Sequence, residues 1–313
     1  MVQHTPRVSI GMPVYNGDHF IEAALDSLLA QTFTDFELII SDNASTDQTQ
    51  AICQAYAARD DRIRYYRNDI NLGAAGNFNR TVELARGEYF KWAAHDDVQT
   101  PDFLGRAVAV LDSDPGVVLV YARARIIDED GDPVQDYDVD FRTDSPDPKV
   151  RFHDLLWITH RVYQVFGLMR TDVLRKTKLI EPYSASDRVL VIGMSLFGRF
   201  HEIPEYLFFP RKHAHVSVRS HVTRHTRMVW FDPSKKGKIL LPAWALWFGY
   251  RGAIKRASLK WGERRYCYRQ MWRWAWDRRK TLREDVVIAF KQWWLMRFRP
   301  NGRLKKPVRS SLK

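Results

Sequence analysis

Short apolar runs and longer segments of mixed polarity alternate along the first 122 residues. The short runs are rich in β-branched residues and predict buried strands, while apolar residues at three- and four-residue spacing in the longer segments predict helices. The predicted strands span residues 7–14, 36–40, 62–66, 87–92 and 117–121, and the predicted helices span residues 19–31, 47–58, 73–85 and 101–111. Strands and helices joined by short connections form a mainly parallel sheet flanked by helices, so we predict an α/β fold.

The pattern changes beyond this segment. Residues 128–148 are rich in Asp, Pro and Gly and predict a turn or mobile loop, and residues 198–209 predict a strand or hairpin that closes the first domain. After Thr223 the chain becomes basic and aromatic. We therefore expect a first domain over residues 1–222 and a basic, Trp-rich helical extension over residues 223–313.

The distribution of charge supports this division. From Arg211 onward the chain has 28 Lys and Arg residues against 5 Asp and Glu residues, whereas the first 210 residues have 21 against 32. Leu282, Val286, Phe290 and Trp294 recur at four-residue spacing, and basic residues flank them. This pattern fits a helix on the surface of an anionic membrane leaflet. The alternative is a helical subdomain whose Trp residues pack onto the first domain.

Composition argues against several classes of protein. Cys53 and Cys267 lie 214 positions apart, which disfavours a disulfide framework or a zinc site and fits a reducing cytoplasm. Residues 1–6 lack the pattern of a signal peptide, and the longest apolar run, residues 239–250, is too short to span a bilayer. We expect a cytoplasmic protein, either free or peripheral on the inner face of the cell membrane.

Two adjacent carboxylates, Asp96 and Asp97, follow the predicted strand 87–92. Adjacent like charges repel each other, but their oxygen atoms are the ligands that Mg²⁺ or Mn²⁺ prefers. A divalent cation bound there would carry a diphosphate at the carboxyl end of the sheet, where ligands of such folds bind. The alternative is a solvated turn followed by the N-cap of the next helix.

Three further motifs precede this carboxylate pair. In chain order the four motifs are Pro13-Val14-Tyr15-Asn16, Ser41-Asp42-Asn43-Ala44-Ser45-Thr46-Asp47, Asn71-Leu72-Gly73 with Asn77, and His95-Asp96-Asp97. The series resembles the family 2 glycosyltransferases, whose motifs run P-x-Y-N, D-D-G-S-x-D, N-x-G and a D-x-D-like carboxylate pair. The resemblance covers residues 7–122 closely and continues through residues 186–190, 198–200 and 211–213.

This resemblance implies a glycosyltransferase A-type fold and an enzyme of the hexosyltransferase type. Its donor would be a nucleotide-diphosphate sugar, a UDP-sugar before others, and its acceptor would be a hydroxyl group of a cell-surface glycan or a lipid-linked glycan. The resemblance also implies a divalent cation, Mn²⁺ or Mg²⁺, and inversion at the anomeric carbon.

The resemblance assigns one wall of the base pocket to Pro13, Val14, Tyr15 and Asn16. Asp42 would accept a hydrogen bond from the imide group of a pyrimidine base. The alternative for the wall is a strand that merely ends in a Pro turn. The alternative for Asp42 is a carboxylate that complements the dipole of the following helix.

Asn71, Gly73 and Asn77 would bring backbone close to the nucleotide, because glycine permits such an approach. An ordinary helix entry is the alternative for these three residues. Asp96 would lie near the ribose of the donor.

Asp97 would hold the cation on the diphosphate, and His213 would complete the metal or phosphate site. Asp187 would act as the general base that takes the proton of the acceptor hydroxyl group. The alternatives are an N-cap carboxylate for Asp187 and a solvated side chain beside Arg211 for His213.

Two other classes of protein fit parts of this pattern. A nucleotidyltransferase shares the architecture and the carboxylates, but it usually has a basic, Gly-rich loop where this chain has residues 15–18. A nucleic-acid-binding protein fits the sequence pI of about 9.7. However, the basic residues are confined to the C-terminal part, and the carboxylate motifs would repel phosphates without a metal. We therefore expect no nucleic-acid partner.

Overall fold

A nine-stranded sheet forms the centre of the protein in a computed structural model that describes residues 5–213 and 224–298. The strands are β1 (Val8–Val14), β2 (Phe36–Asp42), β3 (Ile63–Arg67), β4 (Tyr89–Trp92), β5 (Val98–Gln99), β6 (Val117–Ile127), β7 (Pro133–Tyr137), β8 (Leu168–Arg170) and β9 (Arg199–Phe209). The helices are α1 (Ile21–Leu29), α2 (Thr49–Ala57), α3 (Gly73–Leu84), α4 (Phe103–Ser113), α5 (Pro148–Trp157), α6 (Thr171–Leu174), α7 (Ser186–Ser195), α8 (Arg224–Phe231), α9 (Pro242–Arg256), α10 (Trp261–Asp277) and α11 (Arg279–Phe298). Two short 3₁₀ helices span Tyr163–Phe166 and Pro233–Lys235.

The strand order is β3-β2-β1-β4-β8-β6-β9-β5, and β7 pairs with β6. Strands β1 to β4 pair in parallel, as do β6 and β9, whereas β5, β7 and β8 are antiparallel to their neighbours. The register places Val14 beside Asp42 and Asp42 beside Arg67. The predicted α/β fold is therefore confirmed, and the carboxyl ends of β1, β2 and β3 meet at one edge of the sheet.

Each face of the sheet is covered by its own apolar cluster. Tyr89 of β4 belongs to the cluster beneath α1 and α4. Its neighbours Phe90 and Trp92 belong to the cluster beneath α3, α5 and α7. Both clusters are buried, which explains why the central strands appear in the sequence as nearly continuous apolar runs.

The C-terminal helices share the second of these clusters. Trp247, Tyr250 and Trp274 are buried with side chains of α5 and α7. A Cβ atom at Gly249 would collide with the hydroxyl group of Tyr183 and lie 3.1 Å from Val189 of α7, so its absence lets α9 approach α7 closely. Some aromatic residues of this region therefore belong to the hydrophobic core, as expected for a helical subdomain that packs onto the first domain. The expected boundary at Thr223 lies outside the described residues.

One strand lies in a segment that was predicted as a turn or mobile loop. Residues 128–148 include β7, which pairs with β6 through Ala124 opposite Tyr137. Most of β7 is exposed, so it lacks the apolar alternation by which a strand is recognised in a sequence.

None of the helices within residues 5–213 and 224–298 combines the length and the apolar composition needed to cross a membrane.

Candidate active site

Asp42 lies at the end of β2 and is fully buried. Its Oδ2 atom accepts hydrogen bonds from the Tyr65 hydroxyl group and the Arg67 guanidinium group, each at 2.7 Å. Its Oδ1 atom accepts one from the backbone N–H of Ser45 at 2.8 Å. Burial and the bond to Asp42 together raise the pKa of Tyr65. Asp42 therefore fixes the loop after β2 against the end of β3.

Asn43 joins this loop to the start of α3. Its Nδ2 atom donates to Asn71 Oδ1 at 3.0 Å, and its Oδ1 atom accepts from the backbone N–H of Leu72 at 2.8 Å. Gly73 has φ +78°, and a Cβ atom there would lie 2.6 Å from the carbonyl oxygen of Phe231. The sequence motif around Asn71 thus forms a fixed turn beside the strand ends, with Asn43 as a partner that sequence reasoning missed.

Asn77 is buried behind the strand ends, and its amide group bonds within the protein. Its Nδ2 atom donates to the carbonyl oxygens of Ser41 at 2.8 Å and Val14 at 3.3 Å. Its Oδ1 atom accepts from the Ser41 hydroxyl group at 2.7 Å and from Asn68 Nδ2 at 3.0 Å. The side chain of Asn77 is therefore placed to brace β1 and β2.

The predicted wall of the base pocket is half buried and half open. Pro13 and Val14 are buried within β1, whereas Tyr15 is 45% exposed and Asn16 is exposed. Asn16 adopts a left-handed backbone conformation with φ 53°. Its side chain accepts from the backbone N–H of Thr46 at 2.8 Å. The surface available to a ligand at this edge is consequently the ring of Tyr15 and the turn at Asn16.

Asp96 and His213 come together although they are 117 positions apart. The distance from His213 Nε2 to Asp96 Oδ2 is 3.0 Å, and the His213 ring packs on Phe20 with 4.7 Å between centroids. Burial raises the pKa of Asp96, but the charge of His95 and the contact with His213 outweigh burial, so the pKa lies below its usual value.

Asp97 has a different environment from its neighbour. Its Oδ1 atom accepts from the backbone N–H of Arg211 at 2.9 Å. The Arg211 side chain in turn donates to the carbonyl oxygens of Asp96 at 3.1 Å and Asp128 at 2.9 Å. Burial and the charge of Asp96 raise the pKa of Asp97 well above its usual value, against the opposing charges of Arg211 and Lys91. Asp97 thus holds the segment that carries His213.

The donor set at this edge fits a divalent cation shared with a substrate. A carboxylate oxygen of Asp96 and an imidazole nitrogen of His213 are both ligands that Mn²⁺ accepts. Among the described residues the structure gathers no group of three or more candidate ligands. A cation of this kind is commonly held by one or two protein groups together with substrate phosphates and water. The pair therefore suits a cation that arrives with a diphosphate.

Lys91 lies beneath this edge, fully buried in β4. Its ammonium nitrogen is 5.6 Å from the centroid of the Phe103 ring. Within residues 5–213 and 224–298, no hydrogen-bond partner reaches this nitrogen. Burial lowers the pKa of Lys91 to about 7, although the charge of Asp97 opposes the shift.

Replacing Lys91 with Met is expected to increase the free energy of unfolding by about 2–5 kcal/mol at pH 6, because a pKa shift of one unit corresponds to about 1.4 kcal/mol. The native protein releases this proton near pH 7 and the unfolded chain near pH 10.5. Between these values the unfolded chain binds more protons, so wild-type stability rises with pH and the gain from Met shrinks. Urea unfolding at pH 6, 8 and 9 measures the effect, with exposed Lys176→Met as the control. A gain that is independent of pH would contradict this account.

Asp187 lies in the first turn of α7, after Ala185 with φ 64°. Its Oδ1 atom accepts from the backbone N–H of Arg188 at 2.9 Å. Burial raises the pKa of Asp187 above its usual value. A raised pKa brings a carboxylate closer to the range in which it removes protons efficiently near neutral pH.

Arg188, the residue after Asp187, contacts a segment that the sequence did not identify. Arg188 Nη2 lies 3.0 Å from His160 Nδ1, and burial together with the charge of Arg188 lowers the pKa of His160 to about 4. Three residues later, the negative charge of Asp97 acts on Tyr163, whose pKa is raised mainly by burial. The start of α7 therefore packs against the segment that begins at His160.

Comparisons with known proteins agree with this geometry. A model of the glycosyl transferase family 2 matches residues 9–178. The chain is 35% identical over 127 residues to an uncharacterized glycosyltransferase of Rickettsia typhi, covering 40% of this chain and 39% of that protein. It is 34% identical over 127 residues to the putative glycosyltransferase EpsE of Bacillus subtilis, covering 40% and 46%. The matching segment thus spans less than half the length of either relative.

Solved structures share the fold. The fragment 1–349 of S. aureus TarS in complex with UDP-GlcNAc has a TM-score of 0.64 and 16% identity, covering 91% of this chain and 81% of that chain. The mannosyltransferase PcManGT from Pyrobaculum calidifontis in complex with GDP-Man and Mn²⁺ has a TM-score of 0.52 and 18% identity, covering 93% and 88%. Because the family model spans more than half of the sequence, the resemblance seen in the motifs is confirmed, and the chain belongs to the glycosyl transferase family 2.

Proposed function

We propose that this protein transfers a hexose from a nucleotide-diphosphate donor to a hydroxyl group of a glycan or lipid-linked acceptor, with a divalent cation and with inversion. The observation that carries the proposal is the Asp96–His213 pair at the edge where the loops after β1, β2 and β3 are fixed. The structural relatives support it, because TarS is described with UDP-GlcNAc and PcManGT with GDP-Man and Mn²⁺. The family match favours neither a nucleotidyltransferase nor a nucleic-acid-binding protein.

The donor would bind at the strand ends with its base against Tyr15 and the turn at Asn16. In this proposal Asp42, Asn71, Gly73 and Asn77 act by holding the loops in place, since the bonds of Asp42 and Asn77 described above are made within the protein. We place the cation on Asp96 and His213. Asp97, which the sequence pattern favoured as the metal ligand, would instead keep His213 in position through the backbone of Arg211.

The transfer step uses Asp187 as the base. The acceptor oxygen forms a bond to the anomeric carbon while the bond from that carbon to the diphosphate oxygen breaks. Asp187 takes the proton of the acceptor hydroxyl group, and the nucleoside diphosphate leaves with the electron pair of the broken bond. A cation bound at Asp96 and His213 would neutralise the charge that develops on the leaving diphosphate.

Thermal stability with candidate donors tests the proposal. A ligand that binds only the native state raises stability by about 2.7 kcal/mol at a concentration of one hundred times its Kd. We therefore expect one class of UDP- or GDP-sugar with Mn²⁺ to raise Tm by several degrees, and the same donor with EDTA to raise it much less. A panel in which neither Mn²⁺ nor Mg²⁺ increases stabilisation by any nucleotide sugar would refute cation-assisted donor binding.

We also propose that residues 1–222 carry the donor site and that the region from residue 223 onward supports it as a layer of helices. The protein would work in the cytoplasm, on an acceptor destined for the cell surface.

A further inference from the structure

One face of α10 exposes tryptophan and arginine side chains along its length. Trp261, Trp272 and Trp276 are 75%, 61% and 72% exposed, and Arg265, Arg269 and Arg273 are exposed between them. Their spacing of three, four and seven residues places them on one side of the helix. The opposite side is buried and carries Cys267, Met271 and Trp274. We call these three Trp and three Arg residues the Trp/Arg face.

The Trp/Arg face continues onto the neighbouring helix α9. Phe248 is 57% exposed and packs on the buried ring of Trp247 with 5.0 Å between centroids. Trp272 packs on the same Trp247 ring at 5.2 Å. The exposed aromatic surfaces of α9 and α10 are therefore adjacent and share a buried support.

Cations sit on the exposed aromatic rings. The guanidinium carbon of Arg265 lies 5.3 Å from the centroid of Trp261, and that of Arg279 lies 5.1 Å from the centroid of Trp276. Such pairs hold a Trp ring and a positive charge at the same place on the surface. A partner for this surface must therefore accept an aromatic ring and present a negative charge beside it.

The next helix, α11, adds aliphatic surface. Large apolar side chains from its eighth residue onward are between 44% and 61% exposed, namely Val286, Val287, Ile288, Phe290, Trp293, Trp294 and Leu295. Clustered exposed apolar side chains on a protein surface mark interaction sites. Residues 242–298 carry 14 Lys and Arg residues against 4 Asp and Glu residues, so the partner is anionic.

We infer that the Trp/Arg face and the exposed apolar side chains of α11 dock the protein onto an anionic lipid surface. Trp rings settle at the headgroup boundary, arginine side chains reach lipid phosphates, and aliphatic side chains enter the acyl region. A nucleic acid would match the Trp and Arg residues but leave the aliphatic side chains without a role. A second copy of this chain would bring the same positive charges together, which disfavours it.

This inference extends the proposed function, on which its biological meaning rests, by placing the acceptor within a membrane leaflet. Docking itself needs no donor and no turnover. Vesicle binding without any donor response would support the docking surface and refute the transferase proposal. A donor response without vesicle binding would support the transferase proposal and refute the docking surface.

The test uses the full chain with vesicles of phosphatidylcholine alone or with phosphatidylglycerol added, read by co-sedimentation and by Trp fluorescence. We expect binding to the anionic vesicles only, release at high salt and a blue shift of emission on binding. The paired substitutions Trp272→Ala/Trp276→Ala and Arg269→Glu/Arg273→Glu are each expected to weaken binding about tenfold or more. The variant Arg59→Glu/Lys176→Glu, with the same charge change at exposed positions of the first domain, is expected to bind like wild type.

Retention of the wild-type far-UV circular dichroism spectrum and Tm shows that the variants are folded. The inference is overturned if the wild-type chain ignores anionic vesicles at low salt, or if both face variants bind them as tightly as wild type does. It is equally overturned if the face variants lose binding to single-stranded nucleic acid, or lose self-association in sedimentation velocity, while vesicle binding is unchanged.

Discussion

Replacing Asp187 with Asn is expected to reduce sugar transfer by roughly 10²–10⁴-fold, the range for loss of a general base, while donor binding is retained. The amide cannot take the proton of the acceptor hydroxyl group, but it keeps the size of the carboxylate and accepts the backbone hydrogen bond of Arg188. Release of nucleoside diphosphate from the stabilising donor, measured with a panel of free and lipid-linked acceptors, reports turnover. The donor-induced shift in Tm reports binding.

Asp172→Asn is the matched control, because Asp172 is also in the first turn of a helix but is exposed. We expect this variant to turn over donor like wild type. If Asp187→Asn instead loses donor affinity and keeps its turnover per bound donor, Asp187 belongs to the nucleotide pocket.

The pH dependence of the wild-type enzyme gives a second measure of Asp187. The base must be deprotonated to act, and burial raises its pKa above the ordinary value for Asp. Turnover is therefore expected to fall as the pH is lowered through that raised pKa, at a higher pH than an exposed Asp would give. In Asp187→Asn the residual turnover is expected to lack this acidic limb.

Strands β1 and β2 could be predicted because they are buried on both faces. Residues 7–14 were predicted as the first strand, and β1 spans Val8–Val14. Such strands are apolar throughout and bounded by Gly, Pro or Asp, so their position in the sequence is plain. β7 could not be found in this way, since an exposed strand carries no apolar pattern, and its pairing with β6 is the evidence for it.

The sequence motifs predicted where the polar strand ends lie, but not what each residue at those ends does. Polar residues at strand ends include both groups that face a ligand and groups that brace the loops, and residue type does not separate them. Asn77 is assigned to bracing by its bonds to Ser41 and Val14, 36 and 63 positions away. Lys91 gave no signal, because a single Lys between Phe90 and Trp92 does not reveal whether its ammonium group reaches water.

The adjacent carboxylates show most directly that residue type does not reveal which group binds a ligand. Asp96 and Asp97 have the same chemistry, and only their partners distinguish them. Asp96 lies 3.0 Å from the imidazole of His213, whereas Asp97 accepts a hydrogen bond from the backbone of Arg211. Both partners come from the segment after β9, more than one hundred positions along the chain. The local motif therefore identifies the two carboxylates but does not show which of them would bind the cation.

Replacing Asp96 with Asn is accordingly expected to abolish the stabilisation by Mn²⁺ in the presence of nucleoside diphosphate. Turnover should fall by roughly 10²–10⁴-fold, since a metal ion that stabilises the leaving charge contributes several kcal/mol to the barrier. Replacing His213 with Ala should produce the same loss of the Mn²⁺ response. Titration of Mn²⁺ with UDP or GDP, followed by electron paramagnetic resonance, counts bound metal directly.

Asp97→Asn separates the two assignments. An Asn at position 97 keeps an oxygen for the backbone N–H of Arg211, so His213 stays in place and Mn²⁺ still binds within a fewfold of the wild-type affinity. The placement of the cation on Asp96 requires that Asp96→Asn and His213→Ala lose the metal and that Asp97→Asn retains it. If Asp97→Asn loses the metal while Asp96→Asn retains it, Asp97 is the ligand and the contact between Asp96 and His213 is a structural ion pair.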